Sequence, residues 1–208
     1  MTSLAHRGLW AEADERNTLA AFCDAFARGW GVELDVRDLD GALVISHDPP
    51  AAGALTFRAV VDAFLAAGSP GLLAVNVKAD GLERLIADTL HDVDPAAWFA
   101  FDMSVPDALR YARAGLPYFT RHSEVEPRPA LYDGACGVWL DDFFGGFVTE
   151  ARIAAHLAAG KQVAVVSPEL HGRDHVVAWD EWRRWSVWSS PHVHLCTDHP
   201  TQAQEVFA

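Results

Sequence analysis

Four short stretches in the first 78 residues carry side chains able to do chemistry: His6-Arg7-Gly8, Glu33-Leu34-Asp35, His47-Asp48 and Asn76-Val77-Lys78. Residues two apart on a β-strand share a face, so Glu33 with Asp35, and Asn76 with Lys78, each present two polar groups in one direction. The oxygens of Glu33 and Asp35 are hard ligands suited to Mg²⁺ or Ca²⁺. Arg7 and Lys78, beside such a cation, supply the local positive charge that an anionic phosphate requires. Imidazole titrates near neutrality, so His6 and His47 on two sides of a phosphoester can serve as base and acid. Unpaired buried charge is costly, and so many ionisable groups within apolar runs imply a built site.

The apolar runs that must position these residues recur along the whole chain. Strands are expected at residues 3–6, 32–37, 72–78, 98–102, 118–120, 137–141, 162–166 and 192–197. Helix patterns fall between them at 18–28, 57–67, 82–90, 105–114, 149–159, 176–185 and 201–207. Asn17, Thr56 and Asp198 are the expected N-terminal caps, and Gly29, Gly68 and Gly160 close three helices. Residues 41–46 form a short hairpin-like run that delivers His47. Segment 124–134 holds Pro127 and Pro129 and has no helical period. Eight strands, each followed by a helix or crossover, define a compact (β/α)8 barrel, a single domain over residues 1–208 whose strand C-termini converge on one mouth. An open doubly wound sheet is the rival, but no G-x-G-x-x-G follows the first strand.

Charge and composition exclude other classes. The 208 residues include 29 acidic and 16 basic ones, a net charge of −13, which opposes long-range capture of nucleic acid or an anionic membrane. The longest run without an ionisable residue, 63–77, is too short and too broken by Ser69 and Pro70 to span a bilayer. Cys23, Cys136 and Cys196 are widely spaced without a C-x-x-C pair, and no basic-then-apolar leader opens the sequence. Reduced thiols and a cytoplasmic location are therefore expected.

Taken in order, the motifs resemble the glycerophosphodiester phosphodiesterase family, within the wider phospholipase-C-like phosphodiesterase barrels. The matching text is HRG at 6–8, RNTLAAFCDAFARG at 16–29, VELDVRDLDGALVISHD at 32–48 and N-x-K at 76–78, and TDHP at 197–200 is similar to the family's final strand end. The resemblance implies metal-dependent hydrolysis of a glycerophosphodiester, a small-molecule partner, to glycerol 3-phosphate and an alcohol. It implies His6 and His47 as the acid/base pair, Arg7 and Lys78 as phosphate contacts, and Glu33, Asp35 and Asn76 as ligands of a divalent cation, Mg²⁺ or Ca²⁺.

Three departures accompany the likeness. Asn76 stands where the family usually has a third acidic ligand, and one charge fewer weakens a cation site. Arg16 replaces an acid, and the connection 48–56 is too short for the small lid domain that many relatives insert there. Glu169, in the 167–173 loop, is a further candidate ligand in place of the acid missing at 76. Two alternatives use the same residues: a metal-independent phospholipase-C-like lyase giving a cyclic phosphate, with Arg7 in the cation's role, and a non-catalytic phosphate-binding barrel. Trp179, Trp182, Trp185 and Trp188 recur every three residues, which reads as a helix packed on the barrel, with a homodimer surface as the sharper alternative.

Overall fold

The apolar runs pair side by side in a computed structural model that describes residues 2–207. In chain order the strands are β1 (Thr2–His6), β2 (Gly31–Leu39), β3 (Ala42–Ile45), β4 (Leu73–Val77), β5 (Trp98–Phe101), β6 (Phe119–His122), β7 (Gly137–Leu140), β8 (Gln162–Val166) and β9 (Val193–Thr197). Eight of them are parallel, in the order β5-β4-β2-β1-β9-β8-β7-β6, while β3 turns back antiparallel on the far end of β2. One parallel bridge between Ala100 and Tyr118 brings the outermost pair, β5 and β6, together. The fold is a nearly closed (β/α)8 barrel.

Helices α1 (Leu19–Ala27), α2 (Phe57–Ala66), α3 (Glu83–Thr89), α4 (Val105–Ala114), α5 (Glu150–Ala158), α6 (His175–Trp182) and α7 (Pro200–Phe207) cover the outside. Between β6 and β7 stands only a 3₁₀ turn, Tyr132–Gly134, in the segment whose prolines forbid a helix. Thr56 caps α2 as expected. The first helix is capped by Thr18, not by Asn17, because Thr18 accepts the amide of Ala21 while Asn17, with φ of 59°, turns its side chain toward β2. The Asp198 carboxylate likewise turns away from α7 and toward β1.

Two apolar clusters fill the space between sheet and helices, one under α1 to α4 and one under α5 to α7. Trp179, Trp182 and Trp188 are buried in the second, with Trp185 packed at its edge, so the tryptophan stripe seats the helical layer on the barrel. A third cluster plugs the bore with residues including Leu4, Phe99, Phe101, Phe119, Trp139 and Cys196. The rings of Phe99 and Phe119 stack at 3.6 Å, across the two strands that share one bridge. Stacking thus closes a seam that the backbone ladder leaves open. Gly137 makes room for it, since a Cβ there would lie 2.3 Å from the Phe119 ring. No helix among the described residues is long and apolar enough to cross a membrane.

Candidate active site

Strand register assembles the mouth. His6 is level with Glu33, and Asp35 with Asn76, so β1, β2 and β4 deliver these four side chains side by side. Arg7 leaves β1 with φ of 59°, its amide on the Glu33 carbonyl and its own carbonyl on the Asn17 amide. Gly8 follows at φ of 91°, where a Cβ would lie 2.7 Å from the backbone of Ala21. Only glycine allows α1 to approach the turn so closely. The HRG motif is in this sense a folding requirement that aims Arg7 into the mouth.

Asp35 is fully buried, with one hydrogen-bond donor and two cationic groups around it. Asn17 Nδ2 donates to its Oδ2 at 2.9 Å, Arg7 Nε lies 3.0 Å from the same oxygen, and Lys78 Nζ lies 3.3 Å from Oδ1. Arg7 and Lys78 therefore flank one carboxylate. Glu33 accepts Asn76 Nδ2 at 3.0 Å, and its other oxygen lies 3.8 Å from His6 Nε2. Burial, reinforced by the charge of Asp35, pushes the Glu33 carboxyl up to about 7, against the pull of His6, Asn76 and Lys78.

His6 is held by a closed ring of contacts. Its Nδ1 donates to Asp198 Oδ1 at 2.6 Å, which leaves Nε2 as the free nitrogen facing the site. Arg16 Nη2 reaches Asp198 Oδ2 at 3.5 Å, the Arg16 guanidinium lies over the Trp10 ring at 4.0 Å, and Trp10 Nε1 donates to the His6 carbonyl at 2.9 Å. Burial alone would raise the Asp198 carboxyl, but the hydrogen bond and charge of His6, with Arg16 and His199, hold it below the usual range. Arg16, the residue that departs from the family pattern, thus has a partner that an acid could not have. Spacing alone marks neither Asn17 nor Asp198 as a site residue; the signals that could have found them are the two matching segments they stand in, RNT at 16–18 and TDHP at 197–200.

His47 follows β3 at the rim of the mouth. β3 ends beside Asp35, whose carbonyl accepts the Ser46 amide, but the His47 side chain is 47% exposed and its ring pairs with Asp48, itself 88% exposed. Its contacts do not join it to the His6 group. Glu169 accepts hydrogen bonds from Ser167 and Thr197 and from the Asp198 amide at 3.1 Å, so both of its oxygens tie β8 to the end of β9. It braces Asp198 and has no contact with Glu33 or Asp35.

The donors present suit a hard cation. Glu33 Oε2, Asp35 Oδ1 and Asn76 Oδ1 are buried without hydrogen-bond partners, an all-oxygen set of the kind Mg²⁺ or Ca²⁺ takes. Only two of the three are carboxylates, and among the described residues no group of three or more His, Cys, Asp or Glu side chains is placed to hold a metal.

The opposite side of the mouth carries a second polar group. β6 extends two residues beyond the expected 118–120, which places Arg121 within the barrel. Arg121 donates to Asp102 and, through Nη1 at 2.7 Å, to Asp141 Oδ2. Burial opposes its charge, but Asp102, Asp141 and Glu126 keep the guanidinium protonated. His171 Nε2 donates to Asp141 Oδ1 at 2.6 Å. Beneath the mouth, the Cys196 thiol, buried in the cluster that fills the bore, is pushed up by burial and by the charges of Glu33, Asp198, Glu169 and Asp141.

Fold and site together define a (β/α)8 barrel with an ionisable mouth at the strand C-termini. A phosphodiesterase from Oleispira antarctica, solved with its product sn-glycerol-3-phosphate, superposes with a TM-score of 0.71 at 17% identity, covering 99% of this chain and 96% of that one. A glycerophosphodiester phosphodiesterase from Agrobacterium tumefaciens gives 0.66 at 18% identity, over 100% and 99%. A Ca²⁺-dependent phosphatidylinositol-specific phospholipase C from Streptomyces antibioticus gives 0.59 at 11% identity, over 99% and 96%. At these identities the likeness establishes the shared fold. No family model matches the sequence, and no curated protein matches it.

Proposed function

We propose that this chain is a phosphodiesterase of the glycerophosphodiester phosphodiesterase family, cleaving a small glycerophosphodiester to glycerol 3-phosphate and an alcohol. The observation that carries the reading is His6, fixed by Asp198 with Nε2 free, next to Arg7 and Lys78 on one buried carboxylate. The product held by the Oleispira antarctica protein supports the same substrate chemistry here.

In this reading His6 Nε2 accepts the proton of the attacking group, water or a substrate hydroxyl, and Asp198 stabilises the imidazolium that forms. Arg7 and Lys78 turn from Asp35 to the phosphoryl oxygens, while Asn17 keeps Asp35 in place. Glu33, Asp35 and Asn76 are the residues that would hold Mg²⁺ or Ca²⁺, which supplies further charge neutralisation at the phosphate. His47, at the rim, is the sequence-derived candidate for the second proton transfer. Three free cysteines support the cytoplasm as the working compartment.

The test is release of glycerol 3-phosphate from a panel of glycerophosphodiesters with Mg²⁺, with Ca²⁺ and with EDTA, alongside His6→Ala. Turnover that the variant loses supports the reading. A cyclic product that persists in EDTA supports the lyase instead. A folded protein that binds glycerol 3-phosphate but turns over no diester is the phosphate-binding barrel.

A further inference from the structure

β2 carries more than its two carboxylates. Val32, Leu34 and Val36 pack toward the helical layer, so Glu33, Asp35 and Arg37 lie on the other face of the strand. Glu33 stands beside His6, and Asp35 between Arg7 and Lys78. Arg37, the third in this row, donates through Nε to the main-chain carbonyl of His47 at 3.0 Å. One strand therefore carries a partner of each histidine in the proposed reaction.

The hairpin returns His47 to this level. Asp40 and Gly41, both left-handed at φ of 51° and 82°, form a two-residue turn that sets Leu39 opposite Ala42 and Arg37 opposite Val44. The return strand then places the Ser46 amide on the Asp35 carbonyl at 3.0 Å, and His47 follows. Ser46 Oγ donates to the Asp48 carbonyl at 2.7 Å, which closes the bend over residue 47. The ring itself is weakly held: its Nδ1 lies 3.0 Å from Asp48 Oδ1, but that carboxylate is 88% exposed, and such surface pairs contribute little. The main chain is what fixes this histidine, through Ser46 on one side and the Arg37 guanidinium at its own carbonyl. We propose that Arg37 is a positioning residue for His47, holding the backbone that carries the imidazole at the rim of the mouth so that it can give a proton to the departing alcohol.

The proposal rests on the phosphodiesterase reading, with His47 as its second proton-transfer group. As the attacking oxygen bonds to phosphorus, its proton passes to His6 Nε2. As the bond from phosphorus to the alcohol oxygen breaks, protonated His47 gives a proton to that oxygen, and the alcohol leaves neutral. With water as the attacking group, one diester and one water become one monoester and one alcohol. His47 ends neutral, His6 ends protonated, and exchange of one proton with solvent resets both. Arg37 takes part in neither bond change. A donor must lie within hydrogen-bond reach of the oxygen it protonates, so a loop free to drift impairs this second transfer and little else.

Two diesters of glycerol phosphate separate this role from binding and from general support of the fold. One has an alkyl alcohol, whose oxygen needs a proton on leaving, and the other has p-nitrophenol, which departs readily as its anion. Both are assayed with wild type, Arg37→Leu, Arg37→Lys and His47→Ala, with thermal unfolding as the check that each variant folds. Arg37→Leu should lower kcat on the alkyl diester by ~5- to 50-fold, against less than about threefold on the nitrophenyl one, with KM within about threefold of wild type. Arg37→Lys, which keeps a cationic donor, should recover most of the loss, and His47→Ala should show the same leaving-group dependence to a greater degree. If Arg37→Leu does not fold, Arg37→Thr, suited to a strand, takes its place. Wild-type rates in Arg37→Leu, equal losses on both substrates, or Arg37→Lys no better than Arg37→Leu overturn the proposal and leave the phosphodiesterase reading intact. So does His47→Ala without leaving-group dependence, and so does a loss confined to KM, which would make Arg37 a contact of the substrate. Wild type inert toward both diesters overturns that reading, and the proposal with it.

Discussion

Replacing Asp198 by Asn removes the charge that holds His6 while keeping the shape of the side chain. The wild-type contact is a 2.6 Å hydrogen bond from imidazole to a carboxylate kept ionised by His6, Arg16 and His199. A hydrogen bond to a charged group contributes ~1.5–3 kcal/mol. Its value rises as His6 takes up a proton, so the loss falls on the transition state. At 1.36 kcal/mol per decade, that is roughly a 10- to 150-fold fall in kcat. Arg7 and Lys78 do not touch Asp198, so KM should change by less than about threefold. Initial rates of glycerol 3-phosphate release across a range of substrate concentrations separate the two constants. A kcat within threefold of wild type, or a loss confined to KM, would refute the reasoning that Asp198 works through His6.

Three further outcomes follow from the same structure. Because Glu33 titrates at about 7 in the fold against an ordinary 4.5, the folded chain keeps a proton that the unfolded chain has given up, and stability declines as pH rises through that window. Glu33→Gln should abolish this decline and be more stable than wild type by ~1–3 kcal/mol at pH 8 in EDTA, read by urea unfolding at pH 5 and pH 8. Asn76→Glu supplies the missing third carboxylate, so it should bind Mg²⁺ or Ca²⁺ at least ~10-fold more tightly by calorimetry, and unfold at a lower temperature in EDTA, where Glu33 and Asp35 repel it. Trp179→Ala empties a site 1% exposed and frees Ser167 from the indole Nε1, and should cost ~3–5 kcal/mol in chemical denaturation.

What the sequence made legible was local. His6, Glu33, Asp35 and Asn76 stand on strands whose apolar alternation is visible in a few residues, and adjacent strands made their meeting predictable. Asp198 reaches His6 across 192 residues, and no spacing encodes such a contact. Asn17 looks like a helix cap because Asn and Thr both cap well; which of the two does so is decided by the left-handed turn that Arg7 and Gly8 impose. β6 seemed to end at Thr120 because Arg121 and His122 have little intrinsic preference for a strand. Arg121 stays in it because Asp102 and Asp141, from neighbouring strands, pair with it. His47 was chosen by its place in a motif, and the half-exposed setting of its side chain is something the motif does not carry.

Around most of the barrel the circumference is pinned by ladders of backbone hydrogen bonds, and widening it there means breaking several at once. Between β5 and β6 there is one bridge, a pair of stacked rings and, at the rim, the Arg121–Asp102 ion pair, and flat rings slide past each other at small cost. The molecule is thus a split ring more than a hoop, with a bore that can spring open on one side. The split lies beside Asp102 and Arg121, while His6 and its partners sit on the continuous ladder of β2, β1 and β9. Flexing the wall there would leave the His6 group undisturbed. If the phosphodiesterase reading holds, a barrel with so short a connection after β3 would fit substrates of differing bulk by stretching rather than by opening a cover.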